Sequence, residues 1–172
     1  MSRENNLLII GAGQYGYVVK ETVEAIDGYD RIEFIDDDSS IAIGTINQLY
    51  KFTNDYANVF VAIGNNKIRL NIINQLKKFG YRQVTLIHPK AYVSPSAKLG
   101  EGCIVEANAV VHANVKIGMA CLISAGAVVN HNAVIEDACH VDCNATVAAR
   151  SIVKMTTKVN SGQVYKGETN YV

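Results

Sequence analysis

The chain has 172 residues, 49% of them hydrophobic and 19% charged, with 16 basic side chains against 16 acidic. That balance fits one or two globular domains with a buried core and excludes the basic footprint of a nucleic-acid binder. The first apolar run, Leu7 to Ile10, is too short for the core of a signal peptide or for a membrane span. We therefore expect a cytoplasmic protein with no membrane insertion, in which Cys103, Cys121, Cys139 and Cys143 are reduced thiols.

Up to about Leu86, short β-rich runs alternate with helical patterns, the signature of βαβ units on a parallel sheet. Strands are predicted at Leu7 to Ile10, Arg31 to Ile35, Val59 to Ile63 and Gln83 to Leu86. Helices are predicted over Tyr15 to Ile26 and Lys67 to Phe79, the second with Ile68, Ile72, Ile73 and Leu76 on one face and Gly80 as its C-cap.

Between the first strand and helix stands Gly11-Ala12-Gly13-Gln14-Tyr15-Gly16. Glycines in that context let the backbone approach a diphosphate at the helix N-terminus; otherwise they serve a turn needed only for packing. Asp36, Asp37 and Asp38 end the second strand, with Asp36 20 residues after Gly16, where a carboxylate would meet a ribose or a base edge. About 85 residues supply only half of a doubly wound dinucleotide domain, so a mononucleotide diphosphate fits better. Gly64-Asn65-Asn66 and Arg69 follow the third strand, where open α/β sheets place ligands. They would contact the nucleotide or its sugar, or else form an ordinary N-cap with Arg69 on the exposed face.

After Pro89 a six-residue period takes over. Val93, Leu99, Val105, Val111, Ile117, Ile123, Val129, Ile135, Val141, Val147, Val153 and Val159 are all aliphatic, and small residues recur four places after them. This is a solenoid of inward-pointing knobs beside tight turns. Three sixes make one triangular coil, so Cys103, Cys121 and Cys139 should stack at about 4.8 Å as small core residues. The boundary falls near His88 to Ala91, giving an α/β domain over residues 1–88 and a parallel β-helix over 89–172, with the repeats ending at Val159.

The order of these motifs (GAGxxG, a strand ending in FIDDD, AIGNNxxR, the IHPxAxVSPSAxLGxG junction, then hexapeptides) resembles the NeuD-like or PglD-like family of sialic-acid O-acetyltransferases and nucleotide-aminosugar N-acetyltransferases. The resemblance implies a half-Rossmann domain holding a sugar nucleotide, usually UDP-linked, on a left-handed β-helix. It also implies a homotrimer that binds acetyl-CoA between subunits, with no metal. Gly11, Gly13, Gln14, Tyr15, Gly16, Asp36, Asp37, Gly64, Asn65 and Arg69 are then the candidate substrate contacts.

His131, in Ala127-Val128-Val129-Asn130-His131-Asn132, matches the family's general base, and an imidazole suits deprotonation of an attacking amine near neutral pH. Relatives commonly place Asp or Glu after this base; here Asn132 stands there, and an amide can orient the ring without stabilising its charge. His140 matches the position that contacts acetyl-CoA near its thioester. Backbone amides at Gly118 and Gly126 are candidates for the thioester oxygen or pantetheine arm, and Arg150, Lys154 and Lys158 for the coenzyme phosphates.

The leading expectation is N-acetylation of a nucleotide-linked aminosugar, with UDP as the expected nucleotide, in surface-glycan biosynthesis. O-acetylation of a sialic-acid-type sugar and a non-catalytic trimeric sugar-nucleotide module are the alternatives. A zinc-bearing carbonic-anhydrase-type trimer is disfavoured, because the His-x4-His pair of those proteins is absent.

Overall fold

A computed structural model describes residues 3–169, which fall into two compact units that divide between Val84 and Thr85. In the first unit β1 (Asn6–Ile10) is followed by α1 (Gln14–Ile26) and β2 (Arg31–Ile35). Next come β3 (Asn58–Val61), α2 (Asn66–Leu76) and β4 (Arg82–Gln83). The four strands form one parallel sheet in the order β2-β1-β3-β4, with Leu8 opposite both Glu33 and Val59. All five residues of β1 are buried, as expected of a central strand covered on both faces. The chain leaves β1 for β2 on one side and later returns for β3 on the other. The crevice at the carboxyl ends of β1 and β3 is therefore the switch point at which such sheets hold ligands.

Two predicted features shift. The strand expected at Gln83 to Leu86 is divided: Arg82 and Gln83 pair with β3, whereas Leu86 and Ile87 pair with Ile104 and Val105 in the second unit. A continuous β-rich run reads as one strand in sequence, but the chain changes sheets within it. In α2, Ile72, Ile73 and Leu76 are buried as predicted, while Ile68 is 51% exposed one turn nearer the crevice. The helix tightens to a 3-10 turn at Lys77–Phe79 and stops at Gly80, whose φ of 74° only glycine adopts freely.

The second unit is a parallel β-helix of two-residue strands on three faces. One face runs Leu86–Ile87, Ile104–Val105, Leu122–Ile123, His140–Val141 and Lys158–Val159. The next runs Tyr92–Val93, Val110–Val111, Val128–Val129, Thr146–Val147 and Val164–Tyr165. The third holds Lys98–Leu99, Lys116–Ile117, Val134–Ile135 and Ile152–Val153. The aliphatic register points inward, with Val105, Val111, Ile123, Val129 and Val141 wholly buried beside Ala109, Ala127 and Ala145. Each such side chain contributes about 1.5–3 kcal/mol of burial, summed over a column that no single coil could form alone.

The coil extends one strand further at each end than the count from Val93 to Val159. Ile87 and Tyr165 keep the six-residue phase, and the Tyr165 hydroxyl donates to the Ile152 carbonyl at 3.1 Å. A tyrosine in an aliphatic register hides that last turn from a sequence count. Cys103, Cys121 and Cys139 form the expected buried column of free thiols. No described helix is long and apolar enough to cross a membrane.

The turns add a third periodic position. Residues 102, 108, 114, 120, 126, 132, 138, 144, 150, 156 and 162 all have φ between 54° and 70°. Glycine and asparagine tolerate this region, and seven of the eleven positions hold one or the other (Gly102, Asn108, Asn114, Gly126, Asn132, Asn144 and Gly162).

Candidate active site

Both units carry part of the predicted chemistry. In the first, Gly11 (φ 106°) passes so close to β3 that a Cβ would lie 2.8 Å from the Ala62 carbonyl oxygen. Gly16 is packed against the same turn, where an added Cβ would meet the Gly11 carbonyl. By contrast Gly13 has open space around it and, as the N-cap of α1, makes no side-chain cap hydrogen bond. That is the arrangement a diphosphate needs, with Gln14 and Tyr15 in the first turn.

Gly11, Asp36, Asp37, Ile46, Ile63 and Ile68 line one cleft beside this helix end. Within it the carboxylates are already engaged. Asp36 accepts from the Ala12 amide at 2.8 Å and the Asp38 amide at 2.9 Å, and those two amides hold its carboxyl below the usual range. Asp37 Oδ1 accepts from the Ile46 amide at 2.9 Å. The two aspartates thus build the wall of the cleft, and Asp36 ties the glycine loop to the end of β2.

Arg69 differs from both readings of the sequence. It is neither on the exposed face nor free to reach a ligand, being wholly buried. Its guanidinium donates to the Ile63 carbonyl at 2.8 Å and to Asn66 Oδ1 at 2.8 Å, and it lies 3.3 Å from the Gly64 carbonyl. Burial is tolerated because the fork geometry satisfies its donors on the turn it braces. Asn65 is the N-cap of α2, accepting from the Lys67 and Ile68 amides at 3.1 Å each.

In the β-helix, His131 lies exposed at a corner between two faces. Asn132 occupies the left-handed turn position (φ 59°), and its Nδ2 is 3.0 Å from His131 Nδ1. A half-turn of that amide exchanges its nitrogen and oxygen with no other change in shape. With Nδ2 against the ring, Nε2 must carry the proton; with Oδ1 there, Nδ1–H donates and Nε2 keeps the lone pair a general base needs.

Gly118 and Gly126 are not the expected amide donors. The Gly118 amide donates to the Ile135 carbonyl at 2.8 Å and the Gly126 amide to the Ala107 carbonyl at 3.2 Å, so both are spent inside the coil. Gly118 is required instead because Asp137 crowds it, and Gly126 because of its φ of 70°.

Open amides lie at the His131 corner, a feature that spacing alone does not flag. At each of the other two corners carboxylates take two of the outward turn amides: Glu106 that of Ala125, Asp142 that of Cys143, Asp137 that of Met119 and Glu136 that of Met155. Ala113, His131 and Ala149 stack at the His131 corner, and none of their amides makes a hydrogen bond among the described residues. Donors and an imidazole are thereby left together, with no acid to consume them.

His140 is nearly buried, with Nε2 3.0 Å from Ser124 Oγ and 3.7 Å from Asp142 Oδ1. Burial pushes the Asp142 carboxyl up, but Lys158 at 2.9 Å, the Cys143 amide and His140 together bring it below the usual range. Lys158 is thus paired, and Lys154 is paired with Glu136 and Glu168, which removes both from the role of ready phosphate partners. The Cys121 thiol, hydrogen-bonded to Cys103, and the Cys139 thiol, hydrogen-bonded to Cys121, are also buried; both are pushed far above their ordinary value and cannot serve as thiolate nucleophiles.

An α/β nucleotide-type domain joined to a hexapeptide β-helix with a corner histidine defines the class of left-handed β-helix acyltransferases. Residues 6–76 match the PglD N-terminal domain, and residues 98–131 match the bacterial transferase hexapeptide repeats. The acetyltransferase domain of PglB from Neisseria gonorrhoeae FA1090, solved with acetyl coenzyme A, is 30% identical with a TM-score of 0.92, over 95% of this chain and 83% of that one. A histidine-to-asparagine variant of perosamine N-acetyltransferase from Caulobacter crescentus, solved with CoA and GDP-perosamine, is 28% identical with a TM-score of 0.75, over 92% and 90%. UDP-N-acetylbacillosamine N-acetyltransferase from Bacillus subtilis (strain 168) is 30% identical over 112 residues, 59% of this chain and about half (51%) of the relative's length. The chain belongs to the PglD-like hexapeptide-repeat acetyltransferase family.

Proposed function

We propose that this protein transfers acetyl from acetyl-CoA to the amino group of a nucleotide-linked aminosugar, with His131 as general base. The observation that carries the reading is the His131 corner, where an exposed imidazole stands beside uncapped turn amides. The related N-acetyltransferases and the complexes with CoA and a nucleotide sugar support the same chemistry.

In this mechanism the sugar amine attacks the thioester carbonyl as His131 Nε2 takes its proton. The carbonyl oxygen gains charge, and the Ala149 or His131 amide is placed to receive it. Collapse of the tetrahedral adduct breaks the carbon–sulfur bond, and the imidazolium returns a proton to the departing coenzyme thiolate. Asn132 holds the ring with Oδ1 against Nδ1–H, the orientation that leaves Nε2 basic. The cleft at Asp36 and Ile68, with the open end of α1, holds the nucleotide, which we take to be a uridine diphosphate.

The working unit is a homotrimer in the cytoplasm. Tyr92, Val110, Val128, Thr146 and Val164 pair in register as an outward, largely apolar column on one face, a surface suited to another β-helix. The test is to incubate purified protein with acetyl-CoA and UDP-linked 4-amino sugars while following free thiol. Release should fall about 10²- to 10⁴-fold in His131→Ala. No release above that control sinks the proposal.

A further inference from the structure

A wholly buried guanidinium behind the turn from β3 to α2 has no part in the reaction above. Arg69 Nη1 donates to two successive carbonyls of that turn, Ile63 at 2.8 Å and Gly64 at 3.3 Å. In a trans peptide the N–H points opposite to the C=O of the same plane. With the Ile63 and Gly64 carbonyls drawn back to the guanidinium, the amides of Gly64 and Asn65 point the other way, to the open side of the turn.

The surroundings of those two amides suit a ligand. Gly64 and Asn65 are exposed, and neither amide makes a hydrogen bond among the described residues. A Cβ on Gly64 would meet nothing within 4 Å, which leaves room for a ligand to come close to the backbone. The turn also stands at the crevice. Ile63 and Ile68 line the cleft with Asp36, and Ile63 Cδ1 lies 2.8 Å from where a Gly11 Cβ would be. The donors belong to the turn and not to the helix end, because Asn65 Oδ1 already takes the Lys67 and Ile68 amides. Two successive amides facing one way form a concavity suited to an anionic oxygen.

We propose that Arg69 is a positioning residue of this crevice, turning the Gly64 and Asn65 amides outward to donate to a phosphate oxygen of the bound nucleotide. The step rests on the nucleotide-sugar reading of the cleft and adds to it a set of donors on the β3 side. Arg69 itself stays behind the turn. Its planar fork is what holds the two carbonyls, so lysine, a point charge on a flexible stem, does not replace it.

The test uses UDP and GDP, which share the diphosphate, and reads backbone amides of the full chain by ¹⁵N NMR. In the unaltered protein the nucleotide should shift the Gly64 and Asn65 signals. In Arg69→Lys that response should be lost and Kd should rise about 10-fold, the size of one or two lost hydrogen bonds. Gly64→Ala places a methyl group in open space, so it should fold as the unaltered chain does and weaken the nucleotide by a similar factor. It keeps the proposal testable even where Arg69→Lys does not fold. In turnover both variants should raise KM for the sugar nucleotide and leave KM for acetyl-CoA unchanged, a split that general loss of structure would not give. Nucleotide binding that leaves the Gly64 and Asn65 signals in place, or that is as tight in Gly64→Ala, overturns the proposal and spares the cleft. No binding of either nucleotide overturns it together with the nucleotide reading. Amide shifts without any acetyl transfer support this step and count against the transferase chemistry alone.

Discussion

At the scale of single residues, the contact of Asn132 with His131 decides how strong a base His131 can be in the proposed reaction. An amide orients the ring, whereas a carboxylate would also stabilise the imidazolium that forms during transfer. Aspartate tolerates the left-handed turn position nearly as well as asparagine. Asn132→Asp is therefore expected to fold normally and to raise kcat roughly tenfold, as a charged hydrogen bond replaces a neutral one; steady-state kinetics checks it. Asp36 gives a second prediction. Its carboxyl is depressed in the folded chain by the Ala12 and Asp38 amides. The stability it contributes is present above the ordinary carboxylate value of about 3.9 and is lost as pH falls through the lower folded value. Asp36→Asn should lower stability at pH 7 by about 1–2 kcal/mol and weaken nucleotide binding. In urea titrations at descending pH, the gap between the two proteins should close below about pH 4.

At the scale of elements, the β-helix is a stack of identical turns, and each turn asks one residue for a positive φ. Ala120, Ala138, Arg150 and Thr156 meet that demand without being suited to it. Thr156 is β-branched and so carries the largest steric penalty. Replacing it with glycine should stabilise the protein by about 1 kcal/mol, the strain relieved less the added freedom of the unfolded chain. Thermal unfolding would show this, and a lower melting temperature would count against the turn argument. In the α/β unit the analogous constraint is steric: Gly11 and Gly16 touch backbone, whereas Gly13 touches nothing, so only Gly13 is left to face a ligand.

At the scale of the whole molecule, two compact units divide the proposed labour, one with a nucleotide crevice and one with the base. The proposed homotrimer requires an association surface, and the Tyr92–Val110–Val128–Thr146–Val164 column is the one we propose for it. Val128→Asp at its centre should convert a trimer to monomers in light scattering, because burying an unpaired charge costs several kcal/mol. Activity should fall with the trimer while the fold, read by circular dichroism, persists.

Much of this was legible in the chain itself. The hexapeptide register shows because every coil makes the same local demand, so an inward aliphatic every sixth residue is a property of sequence alone. The glycine loop between strand and helix was visible for the same reason, its spacing being set by one turn. His131 is singled out as the proposed base through the resemblance of its segment, since nothing in a lone histidine separates a base from a corner residue. What the sequence could not carry were relations between distant positions. Arg69 reads as a surface cation until its fork is seen closing on Ile63 and Asn66. Asp36 reads as a ligand group until the Ala12 amide is seen occupying it. Gly118 and Gly126 read as donors until their amides are found inside the ladder, and the open amides of Ala113, His131 and Ala149 emerge only when coils stack. The period of the coil is local physics, written in each six residues; which polar groups remain unspent depends on what the fold brings within 3 Å of them, and only the tertiary structure decides that.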